Sequence, residues 1–315
     1  MSVPHRPPLL LLDTASLYYR SYFALPESMT APDGFPHNAV RGFLTTMTRL
    51  VVSTGARQLA CCWDASWRPQ WRVDLMPTYK THRLAEPADD SESSGNTETE
   101  PDTLGPQISA IRELLDAMGI CRPGLPGYEA DDVIASIAAQ ATGPVIVVTG
   151  DRDLVQVVDD AREVRVLLTA NGGMERWPLL DENAVMTRFG VRPQQYVDFA
   201  VLRGDPSDGI PGVPGIGQKT AAALLGVHPD LEALLSAAAA SSVDRPLTPR
   251  LASTLLAHES DIMKARVVAT AVRDLAVPTS AEALGIPSAP VHPEELEAVA
   301  TEWGVQRFAQ LPAAR

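Results

Sequence analysis

Three short apolar runs in this sequence each end on an aspartate. Leu9–Leu12 runs into Asp13, Gln58–Trp63 into Asp64, and Val145–Val148 into Thr149-Gly150-Asp151. Runs of this length predict strands buried on both faces, as in a parallel sheet. Val164–Leu168 is a fourth. Helical spacing appears between them, over Ala39–Thr54, Gln107–Met118 and Glu129–Ala141. Strands alternating with helices predict an α/β fold, a mostly parallel central sheet with helices on both faces. The carboxyl ends of such strands share one edge, where ligands bind. The three aspartates are therefore expected to converge.

Beyond residue 180 the pattern is helical: Glu182–Phe189, Pro193–Leu202, Lys219–Leu225, Asp230–Ala240, Pro249–Thr270 and Glu294–Phe308. The expected organisation is an α/β core over 1–180 followed by a helical half over 181–315. The pattern alone leaves open whether that half is a separate domain; packing on the core is the expectation. Residues 85–104 hold seven acids, no Lys or Arg, and only Ala85, Ala88 and Leu104 as apolar side chains. Such a stretch cannot bury enough surface to offset its ordering entropy, so a disordered loop is expected.

More acids join the first three. Glu129, Asp131 and Asp132 open a helix, Asp153 follows Asp151, and Asp205 and Asp208 follow the helix ending near Leu202. Taken singly, each reads as readily as a turn residue or a helix cap. Together they form one problem: two unit charges 4 Å apart repel by about 4 kcal/mol at an effective dielectric of 20. None of His5, His37, His82, His228, His258 and His292 falls inside these acid motifs. An oxygen-only donor set suits Mg²⁺ or Mn²⁺ rather than zinc, in the layout for two-metal phosphodiester hydrolysis.

The other classes are excluded by simple counts. Cys61, Cys62 and Cys121 make neither a disulfide framework nor a zinc spacing, which fits a reducing cytoplasm. Leu9–Leu12 is too short for a signal-peptide core or a membrane span, so no membrane partner is expected. The net charge of −13 argues at first against a partner rich in phosphate. Setting aside the seven acids of 85–104 and the nine of the proposed cluster leaves 23 acids facing 26 basic residues.

Three stretches carry a family resemblance. They are Leu10-Leu11-Leu12-Asp13 with Tyr19-Arg20, Trp63-Asp64 with Tyr79-Lys80-Thr81-His82-Arg83, and a set of three. That set is Gly127-Tyr128-Glu129-Ala130-Asp131-Asp132, Thr149-Gly150-Asp151-Arg152-Asp153 and Gly204-Asp205-Pro206-Ser207-Asp208-Gly209-Ile210-Pro211-Gly212. From about Leu9 to residue 275 the chain resembles the bacterial 5′ nuclease family. That family includes the 5′ nuclease domain of DNA polymerase I and freestanding flap endonucleases, and the chain is similar to a freestanding, monomeric, nucleoid-associated member.

The resemblance implies a structure-specific 5′ nuclease acting on DNA with a 5′ end or a flap at a duplex junction. It implies exonuclease and flap endonuclease activity in replication or repair. An RNA strand of a hybrid is a further partner. Asp13, Asp64, Glu129, Asp131 and Asp132 would serve one divalent ion, and Asp151, Asp153, Asp205 and Asp208 a second. Lys80 and Arg83 would contact the scissile phosphate, Arg20 another phosphate, and Tyr79 would stack on a terminal base. Residues 85–104 occupy the place of the family's arch, here acidic rather than basic. Gly215, Gly217, Lys219 and Thr220 would form a helix–turn–helix duplex-binding element, with the Val213 and Ile216 carbonyls holding K⁺. Gly209 stands where the family usually has Asn, and Thr14 where it often has Gly. Two other readings compete: an RNA-directed nuclease of a related α/β fold, and a noncatalytic DNA-junction binder.

Overall fold

The structure, a computed structural model, describes residues 6–84, 101–170, 172–240 and 245–312. Five strands form one sheet: β1 (Leu9–Asp13), β2 (Gln58–Cys62), β3 (Val145–Thr149), β4 (Val164–Leu168) and β5 (Leu179–Leu180). Their order is β2-β1-β3-β4-β5. The first four are parallel, and β5 is antiparallel to β4. The sequence reading missed β5 because two residues leave no period to detect.

Five helices accompany the first three strands: α1 (Thr14–Ala24), α2 (Asn38–Thr54), α3 (Gln70–Leu75), α4 (Leu104–Met118) and α5 (Ala130–Gln140). Beyond the sheet come α6 (Glu182–Phe189), α7 (Tyr196–Arg203), α8 (Gln218–Val227), α9 (Leu231–Ala239), α10 (Pro249–Ala257), α11 (Glu259–Ala269), α12 (Ala281–Leu284) and α13 (Pro293–Glu302). Among the described residues, no helix is long and apolar enough to cross a membrane.

Alternate side chains of a strand point to opposite faces, and this sorts the core in two. Leu9, Leu11, Val145, Val147, Val164 and Val166 face one cluster, which includes α5 and runs on through the apolar residues of α6–α11. Leu10, Leu12, Leu59, Cys61, Ile146 and Val148 face the other, built with α1, α2, α4 and α13. Each fully buried Leu or Ile contributes about 1.5–3 kcal/mol. The helical half therefore shares a core with the sheet.

Two expectations need correction, and one helix was not expected. Pro249–Thr270 is two helices. His258, at φ −113° and ψ 9°, leaves the helical region, and its Nδ1 lies 2.9 Å from the Thr254 carbonyl oxygen. The acidic stretch expected to be disordered lies outside the described residues as far as 100, but its end is ordered. The Leu104 N–H donates to the Pro101 carbonyl, Leu104 is fully buried, and Thr103 Oγ1 lies 2.8 Å from Tyr22 Oη. Helix α1, missing from the sequence reading, starts directly after β1 and carries Tyr18, Tyr19, Tyr22 and Phe23, which blur a helical stripe.

Register places the strand-end acids. Asp13 pairs with Cys62, so Asp64 follows two residues beyond the same level, and Leu12 pairs with Val148, just before Thr149-Gly150-Asp151. The chain leaves β1 on one side for β2 and returns on the other for β3. This is the switch point at which an open parallel sheet forms its crevice.

Candidate active site

A cleft of about 1010 Å³ opens at that edge. Asp13, Asp64, Glu129, Asp131, Asp151 and Asp205 line it, with Lys80 and Arg83. Most of these acids are also fixed locally, so the cap and turn readings hold beside the convergence. Asp13 caps α1, accepting the Ser16 N–H at 3.1 Å, the Ser16 hydroxyl, and the Thr149 hydroxyl at 2.6 Å. Asp64 accepts the Ala130 N–H at 2.8 Å, at the start of α5. Asp151 accepts the Asp153 N–H at 2.8 Å, and Asp205 accepts the Ser207 N–H at 3.0 Å and the Ser207 hydroxyl. Among the described residues, no three acid, His or Cys side chains form a close-set metal cage.

Burial and mutual repulsion act on these carboxyls together. Burial first, then the charges of Asp151 and Asp13, raises Asp131 well above the ordinary carboxylate range. Burial and then Asp151, Asp208 and Asp205 do the same to Asp153. Asp64 is pushed up to about 6 by burial, against the Ala130 N–H, with Glu129 and Asp13 adding. Asp208 is also pushed up to about 6, by burial against the attraction of Lys80.

A carboxyl whose folded pKa exceeds its unfolded one binds more protons when folded. Its penalty is absent below the unfolded value near 3.8 and complete above the folded value near 6. The cation-free protein is therefore expected to gain stability as pH falls from 7.5 towards 5. Asp64→Asn should raise the melting temperature at pH 7.5 in EDTA by about 2–5 °C. Calorimetry at both pH values checks this, and a variant less stable than the parent contradicts it.

Glu129 sits at the N-terminus of α5, only 4% exposed, and three side chains hold it. Lys80 Nζ donates to Oε1, while Arg72 Nη1 and Tyr79 Oη, the latter at 2.7 Å, donate to Oε2. Burial alone would lower the Lys80 ammonium, but Glu129, Tyr79 and Asp208 outweigh it and raise it well above its ordinary value. Lys80 lies in the left-handed region at φ 49°, a conformation that costs a non-glycine residue about 1–2 kcal/mol. That turn directs its side chain into the cleft.

Several sequence-predicted roles change here. Asp132 is removed from the ligand set. It is fully buried, takes Arg72 Nη1 and Nη2 at 2.9 and 2.8 Å, and also accepts the Val272 N–H at 2.9 Å. Tyr79 is 2% exposed with its hydroxyl on Glu129, so its ring offers no face to a base. Arg20 is directed elsewhere: it donates to the carbonyls of Ala170 and Gly172 and lies 5.2 Å from the Trp177 ring centroid. Arg83 remains half-buried on the cleft wall.

The sequence reading overlooked Arg72. It is 3% exposed, and its Nε donates to the Val268 carbonyl at 2.9 Å, tying α3 and the start of α5 to α11. It also missed the aromatic wall formed by Tyr18, Tyr19, Phe23, Trp63 and Trp67. Phe23 is 73% exposed and stacks on Tyr19, four residues earlier, with ring planes 12° apart. That spacing was present in the sequence but needed α1 to be recognised.

The Gly209 departure has a steric reason. At φ +74°, a Cβ here would lie 2.3 Å from the Thr78 carbonyl oxygen. The 205–211 loop lies directly on the segment bearing Lys80, whose N–H donates to the Asp208 carbonyl at 3.2 Å. Gly209→Asn is expected to cost about 1–3 kcal/mol, read from urea unfolding. An unchanged midpoint contradicts the close approach.

The glycine-rich element stands outside the cleft lining. Val213 and Ile216 bury their side chains in the core, and the Val213 carbonyl accepts the Ile216 N–H at 2.9 Å. Gly215, at φ +83°, and Gly217, the N-cap of α8, are exposed. Lys219 is exposed and Thr220 half-buried in the first turn of α8.

Comparison with known proteins agrees with this layout. Residues 8–190 match the model of the "5'-3' exonuclease, N-terminal resolvase-like domain", and residues 191–291 that of the "5'-3' exonuclease, C-terminal SAM fold". A 5'-3' exonuclease of Streptomyces coelicolor is 49% identical over 299 residues, covering 94% of this chain and 96% of that one. One of Mycobacterium tuberculosis is 45% identical over 309 residues, covering 96% and 95%. DNA polymerase I of Mycobacterium bovis is 36% identical over 274 residues, covering 86% of this chain and 28% of that one. T5 5'-exonuclease with bound zinc superposes with a TM-score of 0.64 at 16% identity, covering 96% of this chain and 100% of that one. The catalytic core of Rad2 in complex with DNA substrate superposes at 0.58 and 15%, covering 95% and 89%. These two show the shared fold, and with both family models matched in order along the chain, the protein belongs to the 5'-3' exonuclease family.

Proposed function

We propose that this chain is a divalent-metal-dependent 5′ nuclease of DNA, with 5′→3′ exonuclease and 5′-flap endonuclease activity, serving replication or repair. One observation carries the reading. Acids crowd one cleft so closely that burial and each other's charge hold Asp13, Asp64 and Asp131 above the ordinary range. Such a cluster is tolerable at neutral pH only with cations among the carboxylates.

The donor set fits hard ions. Asp13, Asp64, Asp131 and Glu129 would serve one, and Asp151, Asp153, Asp205 and Asp208 a second. Mg²⁺ keeps several waters and takes few carboxylates directly, which suits acids spread along a cleft. Mg²⁺ or Mn²⁺ held there would supply an acidified water and counter-charge for the leaving oxygen. The chain's own residues do the rest. Lys80, anchored on Glu129, and Arg83 bring fixed positive charge to the phosphate being cut. The aromatic wall gives an unpaired base a stacking surface. Outside the cleft, Gly215, Gly217, Lys219 and Thr220 bind duplex phosphate at the start of α8, with K⁺ on the Val213 and Ile216 carbonyls. The protein acts as a cytoplasmic, nucleoid-associated monomer, and RNA strands of hybrids are a secondary substrate.

Labelled 5′-flap DNA incubated with Mg²⁺ or Mn²⁺ tests the reading, beside the same substrate in RNA. Cutting near the junction that disappears on chelation and in Asp151→Ala supports it. No cutting, or cutting indifferent to that substitution, ends it.

A further inference from the structure

Helix α7 carries Tyr196, Phe199 and Arg203 at spacings of three and four residues, so they share one face. The face is built on rings. Tyr196 meets Phe189 edge-on at 5.1 Å, and the Arg203 guanidinium lies 5.1 Å from the Phe199 ring centroid. Two polar atoms on this face are buried without a partner: Tyr196 Oη and Arg203 Nε. Tyr196 is fully buried.

Arg203 lines the cleft and spends one donor on Asp205, Nη2 to Oδ2 at 2.9 Å. A guanidinium has five donors, and an orphaned buried donor costs about 1–3 kcal/mol. Asp205 meanwhile takes the Ser207 N–H and hydroxyl as well, so it is already well supplied. Arg152 lines the same cleft between Asp151 and Asp153. It is exposed, and its side chain makes no ion pair or hydrogen bond among the described residues. Arg152 and Arg203 thus line one cleft, on the stretch of wall that also carries Asp151 and Asp205.

We infer that Arg152 and Arg203 form a second phosphate clamp, which holds a phosphodiester adjacent to the one at Lys80 and Arg83. The inference rests on the 5′-nuclease reading proposed above. Lys80 is committed to Glu129, whereas Arg152 and Arg203 hold most of their donors in reserve. Planar guanidinium groups with spare donors match phosphate oxygens in pairs. Packing on Phe199 fixes the Arg203 head before substrate arrives, which reduces the ordering cost of binding.

The test uses the full chain, fluorescent 5′-flap DNA, and the variants Arg152→Gln and Arg203→Met. Binding is measured in EDTA across a salt series, and cleavage with Mg²⁺ in parallel. Each variant is expected to weaken binding about tenfold. Each should also lower the slope of log Kd against log salt by about 0.7–0.9, the share of one phosphate contact. For Arg152→Gln, which makes no contact with a carboxylate, the kcat at saturating DNA should stay within about threefold, because the clamp holds ground state and transition state alike. Arg203→Met also loses the Asp205 pair, so Arg152→Gln, at an exposed position, serves as the variant free of folding effects. Wild-type affinity and salt slope in Arg152→Gln, beside an active parent, overturn the clamp and leave the nuclease reading standing. A parent that neither binds nor cuts the flap removes both.

Discussion

Arg72→Met is expected to destabilise the protein by about 3–5 kcal/mol, the largest stability loss of any single substitution considered. The side chain is 3% exposed and holds two carboxylates, Glu129 and Asp132, of which Asp132 is fully buried. It is enclosed by rings, with its guanidinium carbon 4.5 Å from the Trp71 centroid and 5.9 Å from that of Tyr79. Removing it leaves two buried charges facing one another with only Lys80 to offset them. Replacing a whole buried pair by apolar groups is often neutral, but removing one partner is not. The contrast supplies a control. Arg72→Met combined with Asp132→Leu should recover part of the loss, because the uncompensated carboxylate goes with it. Arg72→Lys should recover little, since an ammonium cannot reach Asp132 with two donors and Val268 with a third. Urea unfolding at pH 7.5 measures all three. A single-variant loss under 1 kcal/mol means the network is not what holds α3 to α5 and α11.

The same residue shows what the sequence can and cannot disclose. Asp13, Asp64 and Asp151 were legible because each follows an apolar run, and a strand end is a one-dimensional signal. Parallel pairing then brings distant strand ends to one edge without further information. Arg72 has no such signal. It lies 57 residues from Glu129 and 196 from Val268, and only the folded chain brings the three together. Asp132 and Tyr79 were misread for a related reason. Motif spacing says that a side chain stands at a helix start or near a lysine, but not which way it points. Asp132 lies three residues from Glu129 on the same helix, yet it turns to Arg72 while Asp131 lines the cleft. The aromatic wall was hidden differently. Four aromatics on α1 weaken the helical stripe, so the helix that gives Tyr19 and Phe23 a common face went unread.

Lys80→Met is expected to lower kcat by about 10²–10³-fold, with a far smaller change in stability than Arg72→Met. The two residues share Glu129 but stand differently towards the cleft. Arg72 lies behind the carboxylate and touches no open space, whereas Lys80 lines the cleft and adds an Asp208 contact at 3.9 Å. When Lys80 is lost, Glu129 keeps Arg72 and Tyr79 on Oε2 and stays in place. What disappears is positive charge at the point where a phosphate gains negative charge, and a fixed charge in a partly desolvated cleft is worth more there than in water. Because Glu129 and its neighbours raise the Lys80 ammonium well above its ordinary value, Lys80 itself should impose no fall in rate below about pH 10. Single-turnover cleavage of flap DNA separates these effects, with thermal unfolding run beside it. A parent whose rate falls between pH 8 and 10, while Lys80→Met shows no such fall, means that Lys80 deprotonates in that range and Glu129 does not hold its charge. A variant with near-normal kcat and raised KM assigns Lys80 to binding alone, because uniform binding raises KM without touching the chemical step.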